Sequence, residues 1–148
     1  MVSAGDIVTL LSTELDVGVL KLGTKAAAFT VVEQNVSIAR LMDQYLLKCR
    51  SPSESRVDVL FTVREGQARA RRYLSDGPHT DEVPYEIGVW CTILQPSTAG
   101  DYSALRSAAV EEVKRVFKAN HAIAEYQSTR VDDHVRGQIY VLCTIVTV

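Results

Sequence analysis

The residue types that most often carry chemistry are sparse in this chain: three histidines, His79, His121 and His134, and three cysteines, Cys49, Cys91 and Cys143. No two histidines lie at the one-turn spacing that puts a pair of imidazoles on one helix face. His121 and Glu125 are four apart, but the stretch reads as a helix exit running into a strand, which does not align them. The most compact polar cluster is Asp132, Asp133 and His134, whose donor types suit a divalent ion. The same residues are ordinary hairpin-tip composition, and a solvated tip is the reading taken.

A nucleophile would need a base beside it, yet no Gly-x-Ser-x-Gly elbow is present, and Cys91 and Cys143 sit in apolar, strand-like runs where a thiol is usually buried and inert. The eight glycines form neither Gly-x-Gly-x-x-Gly nor a loop ending in Gly-Lys-Ser/Thr, so no phosphate cradle is visible. Paired acids occur at Asp81–Glu82, Glu111–Glu112 and Asp132–Asp133. Neighbouring acids do not address one substrate from opposite sides, and Glu111 and Glu112 fit the wet flank of a helix. The expectation is no catalytic residue, no metal and no cofactor. An enzyme using His79 or His134 with nearby acids ranks last, because no turnover can be named for it.

One local feature rises above background. Arg64, Arg69, Arg71 and Arg72 follow one another without a lysine, and on an extended strand Arg69 and Arg71 project to the same side. Such a stripe suits carboxylate or phosphate partners. The plainer readings are a solvated strand face or an edge charged against unwanted pairing. Asp76, Asp81 and Glu82 follow in a polar loop and are the complementary charges that a neighbouring subunit would offer.

At 148 residues the chain matches one domain, 1–148, with about two thirds of its unfolded surface open to burial. Its 47% apolar and 23% charged residues argue against a disordered or fibrous chain. A net charge of −2 provides no field to draw in nucleic acid or an anionic membrane. The first twenty residues carry Asp6, Glu14 and Asp16 but no Lys or Arg, unlike a secretory leader, so an intracellular origin is expected. No apolar run approaches the roughly 20 residues of a bilayer span. Three scattered cysteines suit neither a disulfide framework nor a paired-cysteine zinc site.

The elements that must hold these residues are legible mainly in the second half. Ser3, with Asp6 three positions on, precedes a helical stripe of Ile7, Leu10, Leu11 and Leu15. Phe29, Thr30, Val31 and Val32 favour a strand. Ile38, Leu41, Met42, Tyr45 and Leu46 keep helical spacing behind Asn35 or Ser37 as cap, although 44–50 also alternates like a strand. Residues 51–55 read as an exposed linker.

Val57, Val59, Phe61 and Val63 alternate as a strand, and a turn at Glu65–Gly66 suggests a hairpin with 68–73. Residues 75–84 form a polar surface loop. Residues 85–94 read as a central strand. Asp101 or Ser103 caps a helix with a stripe of Leu105, Ala109, Val113, Val116 and Phe117, leaving Arg106, Glu111, Glu112, Lys114, Arg115 and Lys118 wet. A terminal hairpin runs from 122–131 through Asp132, Asp133 and Gly137 into 138–148. The expected fold is α+β: a mainly antiparallel sheet of about four to five strands, with two to three helices packed on one face.

The strand Tyr85-Glu86-Ile87-Gly88-Val89-Trp90-Cys91-Thr92, the helix over 103–120 and the closing strands 125–130 and 138–148 resemble the tail-completion or tail-terminator proteins of tailed viruses. The likeness covers roughly the last 65 residues in texture and the whole chain in element order. It implies an α+β subunit of a ring, often of six copies, at the neck or head-proximal end of the tail tube. It further implies a virion protein made in the host cytoplasm, with neck or tail proteins as partners and neither enzymatic activity nor cofactor. The alternative is a small-molecule or peptide-binding module, with Trp90 and Tyr85 as pocket walls.

Overall fold

A computed structural model describes residues 2–22, 25–48, 57–66, 69–70, 81–93, 99–136 and 139–148. The chain opens with helix α1, Ala4–Glu14, fixed by the capping box its sequence announces: Asp6 N donates to Ser3 Oγ at 3.2 Å and Ser3 N donates to Asp6 Oδ2 at 2.8 Å. The Ser3 N–H on the Asp6 carboxylate lowers the pKa of that group. Ile7 and Leu11, a helical turn apart, are fully buried.

A 3-10 turn at Val17–Val19 and the short strand β1, Lys21–Leu22, lead into β2, Lys25–Glu33. Helix α2, Ile38–Lys48, follows; Arg40 N donates to Ser37 Oγ at 3.3 Å, which resolves the helix-or-strand ambiguity of this segment in favour of helix capped by Ser37. The next strand, β3 (Val57–Glu65), runs parallel to β2 with Phe29 opposite Val59. Parallel neighbours need a long crossover, and α2 lies within it. The linker expected at 51–55 lies outside the described residues.

β3 then pairs antiparallel with β6, Tyr85–Ile93, through Glu65↔Tyr85 to Leu60↔Trp90. Between them in sequence lie two short strands, β4 (Arg69–Ala70) and β5 (Asp81–Glu82), which pair with each other. The expected hairpin of β3 with 68–73 is therefore corrected: Gly66 does not turn the chain back, and its N–H donates to Pro84 O at 2.8 Å, continuing the β3–β6 pairing. A Cβ at Gly66 would stand 3.1 Å from Pro84 Cγ and 3.3 Å from Pro84 O, so a larger residue would fit only if Pro84 gave way by a few tenths of an ångström.

Helix α3, Ala99–Ala119, precedes β7 (Ser128–Val131), β8 (His134–Arg136) and β9 (Ile139–Thr147). It begins ahead of the caps expected at Asp101 or Ser103. The strand expected over 122–131 starts only at Ser128. Both β7 and β8 pair with β9, so Asp132 and Asp133 interrupt one sheet edge instead of forming a hairpin tip; Arg136 and Ile139 face each other, and Gly137 lies outside the described residues.

These strands form a seven-stranded mixed sheet in the order β1-β2-β3-β6-β9-β7, with β8 also on β9. The α+β class holds, with more strands than the four to five expected. Alternation sends Val59, Phe61, Val63, Ile87, Val89 and Cys91 to one face, where they pack with Ile7 and Leu11 of α1 and the expected α3 stripe of Leu105, Ala109, Val113, Val116 and Phe117. Leu60, Trp90, Val141, Cys143 and Ile145 lie on the other face and are joined by Leu41 of α2. The helices thus divide between both faces. That division explains why β3 and β6 carry apolar residues such as Leu60 and Trp90 at positions an open face would leave polar.

Candidate assembly surface

The arginine-rich stretch begins inside the sheet. Arg64 Nε donates to Glu86 Oε2 at 2.7 Å, and Arg130 NH1 donates to Glu86 Oε1 at 3.1 Å. Partial burial pushes the Glu86 carboxyl up, but the hydrogen bonds and charges of Arg64 and Arg130 outweigh it and hold the group below the usual glutamate range. Beyond Glu65 the β3–β6 pair carries on as the separate two-stranded β4–β5 ribbon, where Arg69 faces Glu82 and Ala70 faces Asp81 in register. From Glu65↔Tyr85 to Arg69↔Glu82 one strand advances four residues and the other three. Asp81 and Glu82 thus stand opposite residues of their own chain. Arg71, Arg72, Asp76 and His79 lie outside the described residues.

The cluster at Asp132–His134 is structural in its contacts. Asp132 N donates to Cys143 O at 2.9 Å, while Cys143 N donates to the Asp133 carboxylate at 2.9 Å, so a side chain replaces a backbone acceptor between β7 and β8 while the register is kept. Arg106 of α3 closes on the same Asp133 oxygen at 2.5 Å. The His134 ring lies over Trp90 at 5.9 Å and 18°, with Nε2 3.4 Å from Asp132 Oδ2. Among the described residues no group of three or more His, Cys, Asp or Glu is arranged to hold a metal ion. Burial, reinforced by Asp132 and Asp133, pushes the Cys143 thiol up to about 12.

Trp90 and Tyr85, the pocket walls of the alternative reading, are both buried. Trp90 Nε1 donates to Thr62 Oγ1 at 2.9 Å, and Tyr85 Oη donates to Val2 O at 2.5 Å. An open groove lies elsewhere, at the end of α3, where Lys114 Nζ stands 5.0 Å above the Tyr126 ring and Phe117, Lys118, His121 and Glu125 contribute walls.

Glu112 contradicts the expectation of a wet flank. It is only 4% exposed; its carboxylate accepts Asp16 N at 2.7 Å and pairs with Arg115, whose NH2 donates to Glu14 O at 2.8 Å. These contacts tie the exit of α1 to α3. No periodic signal could have shown this, since the Asp16 N–H is 96 positions away.

Two sheet edges remain. On one side all of β7 is exposed, and Val131 and Val135, 65% and 64% exposed, are the most exposed large apolar side chains among the described residues. On the other, β1 and the Ala27 N–H to Leu20 O bond cover only the start of β2, leaving residues 28–33 with no strand neighbour but β3 among the described residues. No helix of the described residues is long and apolar enough to cross a membrane. No protein-family model matches the chain, and the search of curated proteins finds no match.

Proposed function

We propose that this protein is a structural component of a tailed virion, made in the host cytoplasm, which assembles as a ring at the neck or head-proximal end of the tail tube to join or terminate the tail, and which has no enzymatic role. One observation carries the reading: the β4–β5 ribbon, which leaves the main sheet as a continuation of β3 and β6. Ring subunits need an element that reaches a neighbour, and a strand ribbon with Arg69, Asp81 and Glu82 on its two strands supplies backbone and charge for that contact. Immunogold labelling of virions tests it directly: label at the head–tail junction supports the reading, and label on the capsid shell or on no virion component overturns it.

The second reading, a peptide or small-molecule binding module, is favoured by the groove beside α3, in which Phe117 and Tyr126 lie among Lys114, Lys118, His121 and Glu125. An aromatic base with charged walls suits a short amphipathic ligand. A rise in melting temperature across a metabolite and peptide panel would favour it over the ring.

A further inference from the structure

From the two open edges of the sheet we infer a head-to-tail contact between copies of this chain, in which the β7–β8 edge of one copy pairs antiparallel with residues 28–33 of β2 in the next. The inference deepens the ring reading and rests on it.

The topology supplies the first reason. A closed ring with rotational symmetry is built from two unlike patches that fit each other, and this sheet ends in two unlike strands. β3 is parallel to β2, and each later step through β6, β9 and β7 is antiparallel. β7 therefore runs opposite to β2. When a second sheet continues the first without being turned over, its β2 meets β7 in antiparallel orientation, the arrangement that backbone hydrogen bonding favours.

The side chains supply the second reason. Val131 faces Thr144 and Val135 faces Tyr140, while His134 and Val141 belong to the opposite face with Trp90. Both valines therefore lie on the α1/α3 face. On β2 the same face carries Phe29 and Val31, partly buried against the core and open toward the edge. Continuation of the sheet brings Val131 and Val135 beside Phe29 and Val31, joining apolar surface to apolar surface.

The third reason is how the edge is left undefended. Natural edges are protected by charges and bulges. Here the charges are engaged within the chain: Arg130 is held by Glu86, and Asp133 is occupied by Arg106 and by Cys143 N. Among the described residues of this stretch, Val131 and Val135 are the exposed large apolar side chains.

Two variants decide the matter by native mass spectrometry on the full chain. Val131→Lys with Val135→Lys alters only exposed positions, so its melting curve should match the wild type while the ring mass is lost to monomer. Val31→Lys blocks the other edge and should also give monomer, with circular dichroism confirming its fold. Each variant keeps one intact edge, so mixing them should yield a one-to-one dimer and nothing larger. A ring that survives Val131→Lys/Val135→Lys overturns the edge contact and leaves the ring reading standing. Dimers of Val31→Lys alone would mean that like edges pair, which also overturns it. A wild type that never leaves the monomer overturns both.

Discussion

The indole N–H of Trp90 donates to the Thr62 hydroxyl at 2.9 Å across the position where Gly88 has no side chain. A Cβ at Gly88 would collide with both partner atoms, so this bond on the α2-covered face requires glycine between them. Gly88→Ala should destabilise by about 1–3 kcal/mol through overpacking. Trp90→Phe should cost about 1–3 kcal/mol by removing the donor from a buried hydroxyl. The two losses should not add, because the smaller ring relieves part of the clash; urea denaturation followed by circular dichroism measures the cycle.

Glu112 is expected to matter more than its place among charged helix residues suggests. Glu112→Ala strands the Asp16 N–H and frees Arg115, with a loss of about 1–3 kcal/mol. Glu112→Gln keeps an acceptor for Asp16 N and should lose less. Arg115→Ala, at an exposed position, should cost least. Urea midpoints that rank otherwise would contradict the clasp.

The acid limb of stability should carry a contribution from Glu86. Its folded-state pKa is depressed, so the stabilisation is present above the unfolded value and is lost as pH falls through the folded one. Between roughly pH 5 and the acid unfolding limit, wild type should therefore lose stability faster than Glu86→Gln. Parallel pH profiles in thermal denaturation would contradict the assignment.

The thiols of the described core should be silent in the native state. Burial and the nearby carboxylates of Asp132 and Asp133 keep Cys143 protonated at neutral pH, and Cys91 is equally buried. In a Cys49→Ser variant, a chromogenic disulfide reagent at pH 8 should find no thiol until denaturant is added, and then both. A thiol reacting within the native lifetime would show that the core opens.

What the sequence disclosed follows the range of the interactions involved. The Ser3–Asp6 box and the α3 stripe from Leu105 to Phe117 are set by contacts within a few turns, so their spacing could be read directly. Strand pairing was less legible. Glu65–Gly66 has turn chemistry, but Gly66 serves a close approach to Pro84, and β3 takes β6 as partner. Asp132 and Asp133 have the polarity of a hairpin tip, yet they lie between β7 and β8, where the Asp132 N–H bonds Cys143 O and the Asp133 carboxylate takes the Cys143 N–H and Arg106.

Burial of Glu112 and the placement of α2 on the second face were hidden, because each depends on partners remote in sequence. For the candidate site, the types of Arg69, Asp81 and Glu82 were visible, but their register on one ribbon was not.

The ring remains the central claim, and native mass spectrometry of the purified full-length chain tests it most directly. A single closed species at an integral multiple of the subunit mass, stable on dilution into the low micromolar range, is the result this account predicts. A strict monomer at hundreds of micromolar would contradict it.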